Sequence, residues 1–201
     1  MRIDYFVLPL LTFTAILVGL LGLYDNRTAA GLFVVVGLVF SVIGDVFNVQ
    51  AQVAYGLAFF ILAHVSYMAA FSLNTRFKPR WVMALIPASV MALILAREYP
   101  VWFTNMDATM KAAVPVYMVF VTLMATFATG MFACSPSPRT ALIALGGIAF
   151  WVSDICVALS LFEKNELAAK FVVWLYVPAQ LAIASLAFRK KVTPKRGRRI
   201  K

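Results

Sequence analysis

The sequence has few charged side chains for its length. Charged residues make up 13% of its 201 residues, against about 25% in soluble globular chains. Apolar residues reach 63%, and mean hydropathy is +0.91. A water-soluble fold of this size could not cover its surface with so few polar groups. The composition therefore excludes soluble enzyme folds and indicates an integral membrane protein.

Histidine and cysteine are also scarce, with one histidine and two cysteines. This count is too low for a disulfide framework or a cluster of metal ligands, so we expect no metal and no cofactor. Cys134 and Cys156 lie in or beside apolar segments, and we interpret them as small core residues. The net charge of +10 comes mainly from eight basic residues after Phe188. It belongs to a tail and gives no indication of a nucleic-acid partner.

Seven apolar runs are close to the length that crosses a hydrocarbon core of about 30 Å. Short polar breaks separate them, except for a longer connection from Arg97 to Lys111. Aromatic side chains favour the headgroup level, so Tyr99, Trp102 and Phe103 suggest that this connection is interfacial. The predicted spans are Tyr5–Leu23, Ala29–Phe47, Val53–Leu73, Trp81–Ala96, Ala112–Cys134, Thr140–Leu161 and Ala168–Phe188.

These runs predict an all-α bundle of seven transmembrane helices over residues 1–188, with no extramembrane domain and a basic tail at 189–201. With seven spans, one side of the membrane has five lysines and arginines and the other has thirteen. The positive-inside rule then places the C-terminus in the cytoplasm. We expect a multi-pass protein of a bacterial inner membrane, whose tail lies on anionic headgroups.

Ionisable residues inside a span are informative, because each costs about 2.5–3.5 kcal/mol at a helix centre. Asp45, His64 and Asp154 are such residues. Alternate spans run in opposite directions, so these three and the uncharged candidates fall in one half of the membrane, where they could line one cavity. Helical spacing places His64 and Tyr67 on one face, and likewise Tyr176 and Gln180. The uncharged candidates are Tyr67, Tyr117, Tyr176 and Gln180.

The residues themselves leave several interpretations open. Each polar group could be structural: a histidine satisfied inside the bundle, packing tyrosines, a glutamine joining two helices, or an interfacial aspartate. Intramembrane Asp and His could also form the relay of a proton-coupled transporter. A third possibility is a receptor-like or scaffold bundle without chemistry.

Four stretches resemble the YhhN-like lysoplasmalogenases, a family of small membrane hydrolases. They are Ser41–Phe47, Gly56–Tyr67, Gly146–Asp154 and Tyr176–Leu181, and they match the family's G-D, G…F…H…Y, S-D and Y…Q signatures in order. Pro115 and Tyr117 also fit, and the similarity runs from about Pro9 to Phe188. Many members of this family have eight helices, whereas we expect seven here.

The resemblance implies hydrolysis of the vinyl-ether bond of lysoplasmalogens, with a lysophospholipid substrate drawn from the bilayer. The products are a fatty aldehyde and glycerophosphoethanolamine or glycerophosphocholine. Asp45 and Asp154 are the expected acid/base pair, with their individual roles open, and His64 orients one of them or relays its proton. The residues expected to bind the headgroup or position water are Tyr67, Tyr117, Tyr176 and Gln180. From their position at the outer ends of two spans, Lys111 or Lys170 could meet the phosphate.

Overall fold

A computed structural model describes residues 7–75 and 79–188 of the chain. Within these ranges it contains seven α-helices and two short 3₁₀ helices, Pro79–Ala84 and Ser185–Phe188. Each α-helical segment is long and apolar enough to cross a membrane. The helices are α1 (Val7–Asn26), α2 (Ala29–Val49), α3 (Val53–Leu73), α4 (Leu85–Asn105), α5 (Ala108–Cys134), α6 (Pro138–Phe162) and α7 (Glu166–Ala184).

The basic tail lies outside the described residues, as do Arg2, Arg76 and Lys78 and the first two residues of the first predicted span. The tail and the orientation of the chain therefore stay predictions.

Local sequence signals explain where four of the helices begin. The side chains of Thr28, Asp107, Ser137 and Asn165 each accept a hydrogen bond from a backbone N–H in the first turn of α2, α5, α6 and α7. Such N-caps satisfy amides that have no partner within the helix. All four capping residues lie in the gaps between the predicted spans.

The predicted connection from Arg97 to Lys111 is wrong. Helix α4 continues to Asn105 through Pro100, so that only Met106 and Asp107 separate it from α5. Proline is unfavourable inside a helix, but tertiary contacts hold this segment in place. Trp102 is fully buried, and the Tyr99 hydroxyl donates to the backbone oxygen of Lys111 at 2.9 Å.

Six helices form a closed ring in the order α1, α2, α3, α5, α6 and α7, and α7 packs back on α1. Helix α4 lies outside the ring against α5 and α6. Close approach of α2 and α3 depends on glycine: a Cβ on Gly44 would lie 3.2 Å from the backbone oxygen of Gly56. The connections at 50–52, 106–107 and 163–165 lie at one end of the bundle, which we call the cavity end.

Candidate functional site

A cavity of about 230 Å³ lies inside the ring and reaches the cavity end at Ala51. All six ring helices contribute to its lining, which is mostly apolar. Four of the residues selected from the sequence are in this lining, namely Asp45, Tyr117, Asp154 and Tyr176. The apolar lining includes Leu8, Leu57, Phe60, Val114, Met118, Val157, Leu161, Phe162 and Val172.

Asp45 is only 4% exposed and is held by two hydroxyl groups. Tyr176 of α7 donates to it, with distances of 3.1 Å to Oδ1 and 3.0 Å to Oδ2. Thr12 of α1 lies with its Oγ1 2.7 Å from Asp45 Oδ2. This carboxyl group therefore joins three helices at one wall of the cavity.

Asp154 on α6 is less enclosed than Asp45. Tyr117 of α5 donates a hydrogen bond of 2.8 Å to its Oδ2. The Tyr117 hydroxyl also lies 3.3 Å from His64 Nε2 on α3. A tyrosine has one proton to donate, so His64 donates to Tyr117 when Tyr117 donates to Asp154. The arrangement is a chain of three side chains that ends at a carboxylate in the cavity.

Two aromatic residues pack between these groups. The ring of Phe60 lies 6.4 Å from that of Tyr117 and 6.3 Å from that of Tyr176. The ring of Phe150 lies 5.1 Å from His64 and 5.2 Å from Tyr176. Phe60 therefore contacts both tyrosines, and it contributes an apolar surface to the cavity that the two aspartates also line.

The remaining buried candidates are next to the cavity but do not line it. His64, Tyr67 and Gln180 are completely buried. Tyr67 donates to Gln180 Oε1 at 2.9 Å, and its hydroxyl lies 3.1 Å from Ser41 Oγ. This second polar cluster connects α2, α3 and α7 in the interior. Whether His64 orients an aspartate or relays its proton stays a prediction.

Lys111 lies in the first turn of α5, outside the cavity lining. Its Nζ is 4.4 Å from the centroid of the Phe103 ring, a cation–π distance. Val114, one turn further along α5, lines the cavity. Lys111 therefore lies on the helix face that leads to the cavity, near its open end.

Thr12 is a site residue that the sequence analysis missed. A lone threonine in an apolar helix usually bonds back to the preceding turn, and Thr12 Oγ1 does lie 3.0 Å from the backbone oxygen of Leu8. Nothing in the local sequence shows that it also faces Asp45. Ser41 was also missed, because nothing in the local sequence shows that it faces Tyr67.

The polar groups of the cavity suit proton transfer. Two carboxyl groups, each with a tyrosine hydroxyl, face one small apolar space. Among the described residues there is no group of three or more His, Cys, Asp or Glu side chains that could hold a metal ion. Cys134 is buried and Cys156 is half-buried, and both are free thiols.

Comparison with known proteins gives a match over nearly the whole chain. The model of the YhhN family matches residues 4–187. A protein of Dictyostelium discoideum named lysoplasmalogenase homolog is 26% identical over 168 residues, covering 72% of this chain and 54% of its own length. The chain thus spans about half of that relative.

A second relative is the Bos taurus protein named lysoplasmalogenase TMEM86A. It is 27% identical over 180 residues, which cover 86% of this chain and 71% of the bovine protein. No solved structure matches the chain significantly.

Proposed function

The chain belongs to the YhhN family, and on this basis we propose that it is a lysoplasmalogenase. It would hydrolyse the vinyl-ether bond of a lysoplasmalogen to a fatty aldehyde and glycerophosphoethanolamine or glycerophosphocholine. The observation that carries the proposal is the pair of aspartates, Asp45 and Asp154, in the lining of one apolar cavity. The names of the two relatives support the same activity.

The proposed reaction begins with transfer of a proton from a carboxylic acid to the β-carbon of the vinyl ether. The C=C electron pair forms the new C–H bond and leaves a cation on the neighbouring carbon. The ether oxygen bonded to that carbon shares the charge, which makes the cation an oxocarbenium ion. Water adds to that carbon while the second carboxylate takes one of its protons. The hemiacetal then collapses: its C–O bond to glycerol breaks as the second carboxyl group returns its proton to the leaving glycerol oxygen, and the first takes the proton of the hemiacetal hydroxyl. The products are the aldehyde and the glycerol hydroxyl, and both carboxyl groups regain their starting protonation states. Glycosidases use two carboxyl groups for a similar cation.

We assign the acid role to Asp154 and the base role to Asp45. Asp154 accepts one hydrogen bond from the described residues and is the more exposed of the two carboxyl groups, so it can approach a substrate carbon. Asp45 has two hydroxyl groups around it, and these suit a carboxylate that carries negative charge next to a cation. The lining is mostly apolar, and a low local dielectric strengthens this electrostatic stabilisation.

The alternative of a proton-coupled transporter uses the same aspartates and histidine as a relay. The two functions differ in one simple respect, since a hydrolase needs no gradient. Purified protein in detergent should release aldehyde from an alkenyl lysophospholipid. Without aldehyde release, proton-dependent uptake of a solute into proteoliposomes would favour the transporter.

The first prediction concerns the two carboxyl groups. We expect Asp45→Asn and Asp154→Asn each to lower kcat at least about 100-fold, because general acid–base catalysis contributes about 10²–10⁴. Asp25→Asn, which changes an exposed aspartate at the opposite end of the bundle, is the matched control. Aldehyde release is the measurement, with thermal unfolding in detergent as the check on folding. Near-normal turnover in either variant would remove that aspartate from the mechanism.

A further inference from the structure

A polar groove lies beside the cavity at the cavity end. Its lining comes from the end of α4, the end of α6 and the connection that follows α6. Leu161 and Phe162 line both the groove and the cavity, so these two side chains form the boundary between them. The groove residues are Val101, Asn105, Leu161, Phe162, Glu163 and Lys164.

Buried and polar contacts from α4 fix this groove. Trp102 is fully buried, and its indole Nε1 donates to Glu163 Oε1 at 2.6 Å. Asn105 Nδ2 donates to the backbone oxygen of Phe162 at 2.8 Å. Glu163 Oε2 accepts no hydrogen bond from the described residues, so one carboxylate oxygen is left for a ligand.

Among the basic residues at this end of the described chain, Lys164 is the one that lines the groove. Arg97 is paired with Glu98 at 3.0 Å, and the ammonium group of Lys111 lies over the Phe103 ring. Lys164 is exposed in the groove and forms no ion pair with any described residue. Lys170 is also exposed and forms no ion pair with a described residue, but it does not line the groove. The groove therefore presents one cation and one carboxylate, next to each other in sequence.

The depth of the groove relative to Asp154 fits the length of a lysophospholipid headgroup. Leu161 follows Asp154 by seven residues on α6, which is a rise of about 10 Å at 1.5 Å per residue. Seven bonds separate the β-carbon of the vinyl ether from the phosphorus atom. At roughly 1.2 Å per bond in an extended chain, they span about 8 Å.

We propose that this groove binds the zwitterionic headgroup of the substrate. The Lys164 ammonium group pairs with the phosphate, and the Glu163 carboxylate pairs with the ammonium of ethanolamine or choline. The inference rests on the proposed lysoplasmalogenase function, and it assigns the phosphate contact to Lys164 in place of Lys111 or Lys170. The vinyl ether then lies beside Asp154, on the cavity side of Leu161 and Phe162.

The first test compares Lys164→Gln with Lys111→Gln and with Lys170→Gln, a control on the exposed start of α7. With alkenyl-glycerophosphoethanolamine we expect Lys164→Gln to raise KM about tenfold with kcat unchanged, because a charge-assisted contact to phosphate is lost. With 1-alkenylglycerol, which has no phosphate, the variant and the unchanged protein should have equal KM. A larger effect of Lys111→Gln, or an equal loss on both substrates, would overturn the proposal.

The second test uses Glu163→Gln, which keeps an oxygen that can accept from Trp102. We expect a higher KM for the ethanolamine substrate and no change for alkenyl-glycerophosphate, which has no amine. Equal effects on both would contradict a contact between Glu163 and the ammonium group.

Binding of a non-hydrolysable alkyl-ether lysophospholipid separates this inference from the proposed function. If the unchanged protein releases no aldehyde from any substrate, the lysoplasmalogenase proposal fails. The groove proposal is then supported if Lys164→Gln raises the Kd of the analogue and Lys170→Gln does not. It is overturned if Lys164→Gln leaves the Kd unchanged or if both variants raise it equally.

Discussion

At the scale of single residues, Thr12 can serve Asp45 in both of its protonation states. Its hydroxyl oxygen lies 3.0 Å from the Leu8 carbonyl and 2.7 Å from Asp45 Oδ2. A hydroxyl group has one proton to donate and two lone pairs to accept. Thr12 can donate to an ionised Asp45, or donate to Leu8 and accept from a protonated one. An aspartate that gains and loses a proton in each turnover keeps its partner throughout.

His64 should act only through Tyr117, because it does not line the cavity. We expect Tyr117→Phe to lower kcat roughly 10- to 100-fold, since Asp154 loses its hydroxyl partner. We expect His64→Leu to lower kcat as well. In the Tyr117→Phe background, His64→Leu should cause little further loss. Steady-state kinetics of the two single variants and the double variant give this coupling.

Tyr55→Phe, at an exposed position of α3, controls for loss of a tyrosine hydroxyl. Losses that multiply in the double variant would show that His64 acts by a route independent of Tyr117.

The sequence predicted which residues line the cavity better than it predicted their contacts. Asp45 and Asp154 stand out because a carboxylate in an apolar run is costly, and both line the cavity. Their tyrosine partners could be placed at the right depth in the membrane, but the sequence could not show which tyrosine contacts which aspartate. Depth alone does not fix the rotation of each helix about its axis. Gln180 illustrates this limit: it shares a helix face with Tyr176, yet it contacts Tyr67 in the interior and not the cavity.

At the scale of helices, a glycine on α2 makes room for the interior polar cluster. A Cβ on Gly37 would overlap Cε1 of the Tyr67 ring, and it would also lie 3.1 Å from the Ala63 carbonyl oxygen. The Tyr67 ring cannot move without losing its hydrogen bond to Gln180. Gly19 differs, because a Cβ there would meet only the ends of the Leu38 and Val35 side chains.

We therefore expect Gly37→Ala to destabilise the protein by about 1–3 kcal/mol, the usual cost of overpacking a buried contact. Gly19→Ala should have a smaller effect because flexible side-chain ends can shift. Thermal unfolding in detergent measures both. A Tm for Gly37→Ala at or above that of Gly19→Ala would contradict the proposed packing of Tyr67.

Helix α4 shows why hydropathy alone misplaced one boundary. Arg97, Glu98 and Pro100 lower the local hydropathy and disfavour a helix, so the sequence predicted a connection. The segment is helical because its side chains bond to other elements: Tyr99 to α5, and Trp102 and Asn105 to the end of α6. These contacts are far apart in sequence. The same segment forms one side of the polar groove. A sequence that predicts a connection there cannot predict the groove.

At the scale of the whole molecule, the ring of six helices brings every polar candidate except Lys111 and Lys170 into one interior. Its polar groups form two layers, one at the cavity and one deeper at Tyr67 and Gln180. The ring closes because α7 packs on α1, which brings Tyr176 to Asp45 across 131 residues of sequence. A span count predicts how many helices there are, but the order of the ring depends on contacts between their faces.

The side of the membrane that the cavity end faces is predicted from the sequence alone. Seven spans put thirteen lysines and arginines on the side of the C-terminal tail and five on the other side, so we expect the cavity end to face away from the cytoplasm. Thr104 is exposed at the cavity end, and Ser135 is exposed at the other end. In a background with Cys134→Ala and Cys156→Ala, we expect Thr104→Cys to react with an impermeant thiol reagent added to intact cells. Ser135→Cys should react only after the membrane is opened. The reverse pattern would place the cavity in the cytoplasmic half. The proposed chemistry would be unchanged, because acid–base catalysis by two aspartates does not depend on the leaflet that supplies the lipid.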